Sequence, residues 1–279
     1  MRLDNKLYDE NLTTDVNFLK QKVVDWKDYQ FLMVLGSGYN DLAASFKINH
    51  SIKYVDIPFW PGCTAPHHFG NLVFAEHNGK KVVFMQGQHH YCEGYSMSEI
   101  AFLIYTLVLL NVKTMIASNA AASLNAQAIK IGEICAITDH INAFGDNPII
   151  GLNNPRLGIR WPIPQNLYDN KLRQLLLTVA EKNNIKLKTG VYVGYPGGIF
   201  ETDSEARMYK LYAQMIGMSI VAEAIAAFHS GMKVAGLATA TVCSIGDNPD
   251  FVDDDYIMKQ TQKMAGDLKI LLMELLEII

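Results

Sequence analysis

The sequence has few of the features that mark membrane, secreted or metal-clustered proteins. Its longest apolar run, Ala101 to Leu110, is far shorter than the roughly 20 residues that a membrane-spanning helix needs. The N-terminal MRLDNKLYDENL is charged and lacks an apolar core, so we do not expect a secretory signal. CxxC spacing is also missing, because the four cysteines are scattered at Cys63, Cys92, Cys135 and Cys243. These absences are typical of a cytoplasmic protein with reduced thiols, no zinc cluster and no membrane association.

A strong excess of one charge and the usual nucleotide fingerprints are lacking too. The chain has 24 basic and 28 acidic residues and a formal net charge of −4, which gives no bulk field for nucleic acid. Gly36-Ser37-Gly38 follows an apolar stretch, but no Walker lysine comes after it and GSGYND is not a dinucleotide fingerprint. The pair His67-His68 has no carboxylate at a ligand spacing nearby. We therefore expect no bound metal.

The hydrophobic content is sufficient for a sizeable core. The 279 residues are 49% hydrophobic, which allows one large α/β domain or two small ones. No internal repeat, low-complexity tract or interdomain linker divides the chain. The sequence therefore predicts a single α/β domain over residues 1–279.

The stretch from Lys81 to Asn125 organises the chain. Lys81–Met85 is a short β-branched and aromatic run, which predicts a buried strand. A loop over Gly87–Gly94 follows this strand and holds four polar residues: Gln88, His89, His90 and Glu93. Polar residues just past strand ends lie where α/β sheets bind ligands.

A helix and a second strand complete this unit. Ser96 and Glu99 form the pattern of a capping box, which predicts a helix that begins there and continues to Leu110. Val112–Ser118 predicts the next strand, and we expect it to end in a turn of small residues over Asn119–Ser123.

Periodicity and turn chemistry predict the other elements. Asn78-Gly79 indicates a hairpin turn between two strands, Glu205 fits a capping box with Thr202, and Phe144–Pro164 reads as a long functional loop. We predict helices over Thr13–Trp26, Tyr168–Asn183, Ser204–Met215, Val221–His229 and Ile257–Ile279, an edge strand within Ile52–Pro66, and strands over Phe31–Leu35, Leu72–Ala75, Gly132–Thr138, Lys188–Val193 and Val234–Thr241.

Polar clusters follow five of the predicted elements. If they converge at one edge of a sheet, they would suit a small polar ligand with an anionic part, because glycine-rich turns let backbone N–H groups approach an anion. The clusters are Gly36–Gly38, Gln88–Glu93, Asn119–Ser123, Phe200-Glu201 and Thr241-Val242.

The same segments, in the same order, resemble the trimeric purine nucleoside phosphorylases. The matching pieces are GSG at Gly36, PHHFGNLVF at Pro66, QGQHHYCEGYSMSEI at Gln86, SNAAASLN at Ser118, IFETDSEARM at Ile199 and GMSIVAEAIAAFHSGMKV at Gly217. The resemblance implies a mixed central sheet flanked by helices, a homotrimer, and phosphorolysis of a purine ribonucleoside to free purine and ribose 1-phosphate. It also implies that inorganic phosphate is the co-substrate and that no cofactor is needed.

The resemblance assigns roles residue by residue. The positions that match the family's phosphate site are Ser37, His68, Gln88, Ala120 and Ser219. Ribose contacts fall on His90, Cys92 and Met218, and contacts with the base fall on Phe200, Glu201 and Val242. His90, Glu201 and Thr241 match the catalytic positions. Taken singly, Met218 is typical of a core residue and His90 of a hydrogen-bonded loop histidine. Their assigned roles depend on all the matching segments occurring together in the family's order.

Several positions depart from the family pattern. Gln88 stands where the family has its phosphate-binding arginine, which removes a fixed charge and a bidentate donor. Cys92 replaces an aromatic at the sugar, and Val242 replaces an asparagine or aspartate that hydrogen-bonds the purine. The loop before Phe200 reads Pro196–Ile199, and Asp254–Tyr256 occupy the place of a histidine that reaches the 5′-hydroxyl.

Three hypotheses follow from these matches and departures. The first is a purine nucleoside phosphorylase with altered base and phosphate recognition. The second is a phosphorylase for 6-aminopurine or methylthio nucleosides, or a nucleoside hydrolase in which water replaces poorly held phosphate. The third is a non-catalytic relative that binds a nucleoside. Retention of Glu201, His68, His90 and Ser219 favours an enzyme, whereas Gln88 and Val242 keep the third hypothesis open.

Overall fold

All nine described strands belong to one mixed sheet. The computed structural model describes residues 5–245 and 252–279. The strands are β1 (Phe31–Leu35), β2 (Lys47–Lys53), β3 (Asn71–His77), β4 (Lys80–Gln86), β5 (Thr114–Ser123), β6 (Ile134–Asn142), β7 (Leu187–Gly194), β8 (Met215–Gly217) and β9 (Lys233–Cys243).

The second half of the sheet closes on itself. The order is β2-β3-β4-β1-β5-β8-β7-β6-β9, and β9 also pairs with β5. β5, β8, β7, β6 and β9 therefore form a ring, to which β1, β4, β3 and β2 are attached as an open flank. β1 runs parallel to both β4 and β5, so the carboxyl ends of these three strands lie at the same edge.

Six α-helices in the described part of the chain cover the two faces of the sheet. They are α1 (Asn5–Lys22), α2 (Met97–Leu109), α3 (Asn170–Lys182), α4 (Asp203–Lys210), α5 (Val221–His229) and α6 (Asp254–Ile278). Side chains alternate along β1, so Leu32 and Val34 join the core formed with α1, α2 and α5. Met33 and Leu35 join the core formed with α3 and α6. The predicted fold class, a mixed sheet flanked by helices, is confirmed.

Local sequence signals placed several boundaries correctly. The predicted capping boxes are confirmed, because Ser96 accepts from the N–H of Glu99 and Thr202 accepts from the N–H of Glu205. The predicted hairpin is also confirmed, since the two turn residues between β3 and β4, Asn78 and Gly79, both have positive φ. These positions need left-handed backbone, which asparagine and glycine adopt most readily.

The predicted turn at Asn119–Ser123 is wrong. These residues continue β5, which pairs with β9 along its whole length and with β8 at Ala122 and Ser123. Small residues do not by themselves specify a turn. Here the pairing with β8 and β9 holds these residues in an extended strand.

Three further boundaries differ from the predictions. α1 begins and ends earlier than Thr13–Trp26, so Val24 lies beyond the helix and is 88% exposed. The edge strand β2 begins five residues before the predicted Ile52–Pro66 segment and overlaps it only at Ile52 and Lys53. α4 ends at Lys210, and Met215 belongs to β8. The acidic composition of Asp247–Asp255 predicts a loop. Residues 246–251 lie outside the described residues, and Asp254 and Asp255 already belong to α6.

The long segment between β6 and α3 contains no helix or strand, as predicted. None of the helices in the described part of the chain is both long and apolar enough to cross a membrane.

Candidate functional site

A cavity of about 400 Å³ opens where β1, β4, β5 and β9 end. All but one of the residues predicted for the site line this cavity. They are Ser37, Gln88, His90, Cys92, Ala120, Phe200, Glu201, Met218, Ser219, Thr241 and Val242. The one that does not, His68, lies behind the lining and hydrogen-bonds to Ser37. The structure therefore brings together residues that are separated by up to 205 positions (Ser37 to Val242) in the chain.

A β-bulge explains why two consecutive residues of β9 face the cavity. Side chains of a regular strand alternate between faces, yet Thr241 and Val242 both line the site. The register between β5 and β9 shifts here, because Ala121 pairs with Ala240 and Ala122 pairs with Val242. Thr241 is the extra residue, and its Oγ1 donates to the carbonyl of Ala121 at 3.2 Å. Bulges commonly redirect side chains beside functional sites.

One end of the cavity is formed by neutral donors around Ser37. Ser37 Oγ lies 3.1 Å from His68 Nε2. The other ring nitrogen, Nδ1, lies 3.0 Å from both the backbone N and the backbone O of Gln88, so one tautomer accepts and the other donates. Burial, with a smaller contribution from His90, lowers the pKa of His68 to about 4. His68 is therefore neutral at physiological pH and contributes hydrogen bonds without charge.

The amide of Gln88 is not oriented to bind an anion. It is 1% exposed, and its Nε2 donates to Glu223 Oε1 at 3.1 Å. Its Oε1 is buried and has no hydrogen-bond partner among the described residues. Gln88 therefore places an acceptor, where the family pattern has a cationic donor, beside the Ser37 loop.

His90 is held in the cavity wall by Glu93. Glu93 Oε1 lies 2.6 Å from His90 Nδ1 and accepts from the backbone N–H of His90 at 2.9 Å. Thr64 Oγ1 donates to the second oxygen of Glu93. Although burial raises the pKa of Glu93, the hydrogen bonds from His90 and Thr64 hold it at about 2. The ionised carboxylate fixes Nδ1 of His90 as a donor, which leaves Nε2 for a ligand.

The opposite end of the cavity has one prominent polar side chain. Glu201 Oε2 is buried and has no hydrogen-bond partner in residues 5–245 and 252–279. Phe200 is 50% exposed at the rim, and Val242 is 4% exposed in the wall. Burial and the neighbouring Glu201 raise the pKa of the Tyr195 hydroxyl, so it stays protonated as a donor. A planar ligand here would contact an aromatic, an aliphatic and a carboxylate.

Close packing fixes the middle of the cavity. Gly197 has a φ of +78°, which strains any other residue, and a Cβ there would also come within 2.3 Å of Met218 Sδ and displace that side chain. Tyr192 Oη accepts from Asn119 Nδ2 at 3.0 Å and from the Ser219 N–H at 3.4 Å. This buried hydroxyl ties β5 to the Met218-Ser219 segment.

The charge of the cavity is negative. No lysine or arginine of the described chain lines it, whereas three carboxylates do: Glu93, Glu201 and Asp254. An anion bound at the Ser37 end must therefore be held by neutral hydroxyl and backbone donors.

Sequence reasoning missed several residues of this site. Glu93 was noted only as a loop residue, although its spacing of three from His90 fits the observed contact. Asn119 and Tyr192 were not singled out. Glu223 was read as part of a helix, and no local pattern indicated that it would meet Gln88.

Comparisons with known proteins agree with this geometry. Residues 31–277 match the family model described as Phosphorylase superfamily. The chain is 37% identical to purine nucleoside phosphorylase 1 of Geobacillus stearothermophilus over 251 residues, which cover 90% of each protein. It superposes on Schistosoma mansoni purine nucleoside phosphorylase in complex with adenosine with a TM-score of 0.89 and 31% identity, covering 96% of each chain. Superposition on the complex of that protein with inosine has a TM-score of 0.89 at 31% identity, and it covers 97% of this chain and 96% of that one.

Proposed function

This chain belongs to the phosphorylase superfamily and catalyses purine nucleoside phosphorolysis as a pentosyltransferase, and on that premise we propose how its cavity performs the reaction. Phosphate binds at the Ser37 end, the ribose lies against His90 and Met218, and the purine reaches Glu201. The observation that supports this assignment most is the convergence of eleven predicted residues on one cavity.

The chemistry of the reaction sets two electrostatic tasks. Cleavage of a glycosidic bond passes through an oxocarbenium-like sugar, so phosphate must be held against the anomeric carbon. The donors available for it are Ser37, His68, the Ala120 N–H and Ser219. The departing purine gains negative charge and needs hydrogen bonds as it leaves. Preorganised groups of this kind typically contribute a few kcal/mol each.

At the Glu201 end of the cavity, the protein contacts one edge of the purine base. Oε2 of Glu201, which has no partner among the described residues, can accept from a ring N–H. The neighbouring Tyr195 hydroxyl stays protonated and donates to the carbonyl of Ile199. Val242 offers no donor or acceptor, so the 6-substituent meets an apolar wall. A 6-oxopurine carries the ring N–H from which Glu201 can accept, whereas the same ring nitrogen of a 6-aminopurine is itself an acceptor. We therefore propose that recognition depends on the Glu201 edge and that 6-oxopurines are preferred over 6-aminopurines. Thr241, whose hydroxyl donates to Ala121, can only accept from a ligand in this geometry.

The test of this proposal is release of free base from inosine, guanosine, adenosine and methylthioadenosine, each with and without phosphate. We expect phosphate-dependent release from inosine and guanosine to be at least about 100-fold faster than from adenosine, since a site built to accept from a substrate N–H rejects the analogue that lacks it. Release that ignored phosphate would identify a hydrolase, the alternative favoured by the acceptor at Gln88. Binding without release would identify a nucleoside-binding protein.

We also propose that the chain is one domain, needs no cofactor and assembles as a homotrimer in the cytoplasm. Support for assembly comes from the segment between β6 and α3, which exposes five large apolar side chains. Their exposed fractions lie between 58% and 81%, and they are Ile150, Leu152, Ile159, Trp161 and Ile163. Such clusters typically mark protein–protein contacts, and a second copy of this chain is the occupant that we propose.

Light scattering at micromolar concentration should give three times the chain mass of 31.2 kDa. Trp161→Glu should shift the mass toward that of the monomer, because burial of a charge at an interface is unfavourable. The matched control is Leu211→Glu, which changes an exposed apolar residue outside that segment and should leave the mass unchanged. A monomer in the unmodified protein would rule out this assembly.

A further inference from the structure

The buried amide of Gln88 is satisfied at only one end. Nε2 donates to Glu223 Oε1, whereas Oε1 has no partner among the described residues. Oε1 lies next to the Ser37 loop, since a Cβ placed on Gly36 would come within 2.9 Å of it. The unpartnered oxygen therefore points to the region where phosphate is proposed to bind.

Glu223 determines which end of the amide faces the loop. It is 4% exposed and lies in the first turn of α5. An ionised carboxylate only accepts hydrogen bonds, so Gln88 must give its NH₂ group to Glu223 and its oxygen to the loop. A phosphate would then meet an acceptor and, behind it, a buried negative charge. Both features oppose the binding of an anion.

A proton on Glu223 reverses this arrangement. The protonated carboxyl can donate to Gln88 Oε1, which allows the amide to turn its NH₂ group toward the loop. Burial raises the pKa of Glu223, against the effects of its own backbone N–H, His90 and Gln88. The carboxyl therefore takes up a proton more readily than an exposed glutamate does.

We propose that Glu223 is a positioning residue for the co-substrate: phosphate binds to the form in which Glu223 carries a proton and the Gln88 amide donates to the anion. The proposal rests on the proposed function and explains how the site can hold phosphate without a cationic side chain. The proton enters from solvent when phosphate binds and returns to solvent when the anion leaves.

Other titratable groups interact with Glu223 from the elements around it. They are His90 in the loop after β4, Tyr168 before α3 and Tyr192 in β7. Burial raises the pKa of both tyrosines, so their hydroxyls stay neutral. His90 also affects the pKa of Glu223 through its charge. An experiment must therefore separate Glu223 from His90.

Sulfate is a suitable probe because, unlike inorganic phosphate, it does not change its own charge near neutral pH. We would measure its binding by calorimetry, and its competition with phosphate, at several pH values from about 6 to 9. If binding requires a proton on Glu223, the sulfate Kd rises with pH. Above the pKa of Glu223 in the free protein, this increase approaches tenfold for each pH unit. We expect a rise of at least about tenfold across this range.

Glu223→Gln tests the group directly. The introduced amide can donate to Gln88 Oε1 at every pH, so the sulfate Kd should become independent of pH within about twofold and be about tenfold lower at high pH. The phosphate KM should fall while the inosine KM changes less than about twofold, a split that a general structural defect would not produce. Glu181→Gln, which removes the same charge from the exposed surface of α3, should keep the pH dependence of the unmodified protein.

Gln88→Arg provides a second test that does not depend on the folding of Glu223→Gln. The introduced guanidinium would pair with the ionised Glu223 carboxylate, so anion binding should tighten and lose its dependence on pH. Persistence of the original pH dependence in Glu223→Gln would assign it to His90 and overturn the proposal, as would an unchanged sulfate Kd in both variants. Absence of phosphate-dependent base release from the unmodified protein would instead refute the proposed function, whatever the outcome with sulfate.

Discussion

Replacement of Glu201 with alanine is expected to lower kcat/KM for purine nucleosides by about 10³-fold, the scale seen when a site built to hydrogen-bond its substrate loses that bond. Glu201 Oε2 is buried and has no hydrogen-bond partner among the described residues, so a bound purine is what would satisfy it. Its loss leaves the base held only by Phe200 and Val242, which offer no hydrogen bonds. The loss should raise KM as well as lower kcat, because the carboxylate accepts from the bound base before the glycosidic bond breaks.

Steady-state kinetics with inosine and guanosine at saturating phosphate measure this effect. Asp203→Ala is a matched control, since this carboxylate begins the neighbouring helix α4 and its side chain is 80% exposed. We expect the control to retain activity within about twofold. Activity of Glu201→Ala equal to that of the control would mean that the base does not bind at this end of the cavity.

Replacement of Gly36 with alanine is expected to raise the phosphate KM by about 100-fold, the penalty associated with a displacement of roughly 1 Å in a site. The added Cβ would lie 2.7 Å from the Ser118 carbonyl oxygen and 2.9 Å from Asn119 Cα. Both are backbone atoms of β5, so rotation of a side chain cannot relieve the clash. The Ser37 loop must move away from β5, which separates Ser37 from His68.

The KM for phosphate should change far more than the KM for inosine, because the base end lies across the cavity. Gly266→Ala is the control: a Cβ there meets nothing within 4 Å, and alanine favours a helix over glycine by about 0.5–1 kcal/mol. We expect that variant to unfold at a slightly higher temperature with unchanged kinetics. Equal phosphate KM values in the two glycine variants would place phosphate away from the Ser37 loop.

Local sequence patterns predicted the parts of the fold that local physics decides. Ser96 and Thr202 cap helices through their own hydroxyls, and Asn78-Gly79 adopts positive φ without help from distant residues. The positions of the strand ends were predicted from the points at which hydrophobic runs stop. Most of the cavity lining was predicted in the same way, from the polar residues that come just after those points.

Features decided by distant pairing were not predictable in this way. Asn119–Ser123 became strand because β9 pairs with it, and β9 begins more than 100 residues later. The Thr241 bulge exists only in that pairing. The contact between Gln88 and Glu223 joins a loop to a helix 135 positions away, and neither residue has a local pattern that indicates the other.

The pairing of β5 with β9 also has a consequence for folding during synthesis. The strands of the open flank, β1 to β4, and their partner β5 are made first and can pair early. The floor of the cavity needs β9, and its wall needs Ile257 from α6. The ribosome must therefore release nearly the whole chain before the pocket can form, because domains complete their long-range contacts only once the residues have emerged. Until then, the apolar edge of β5 is exposed and available to chaperones.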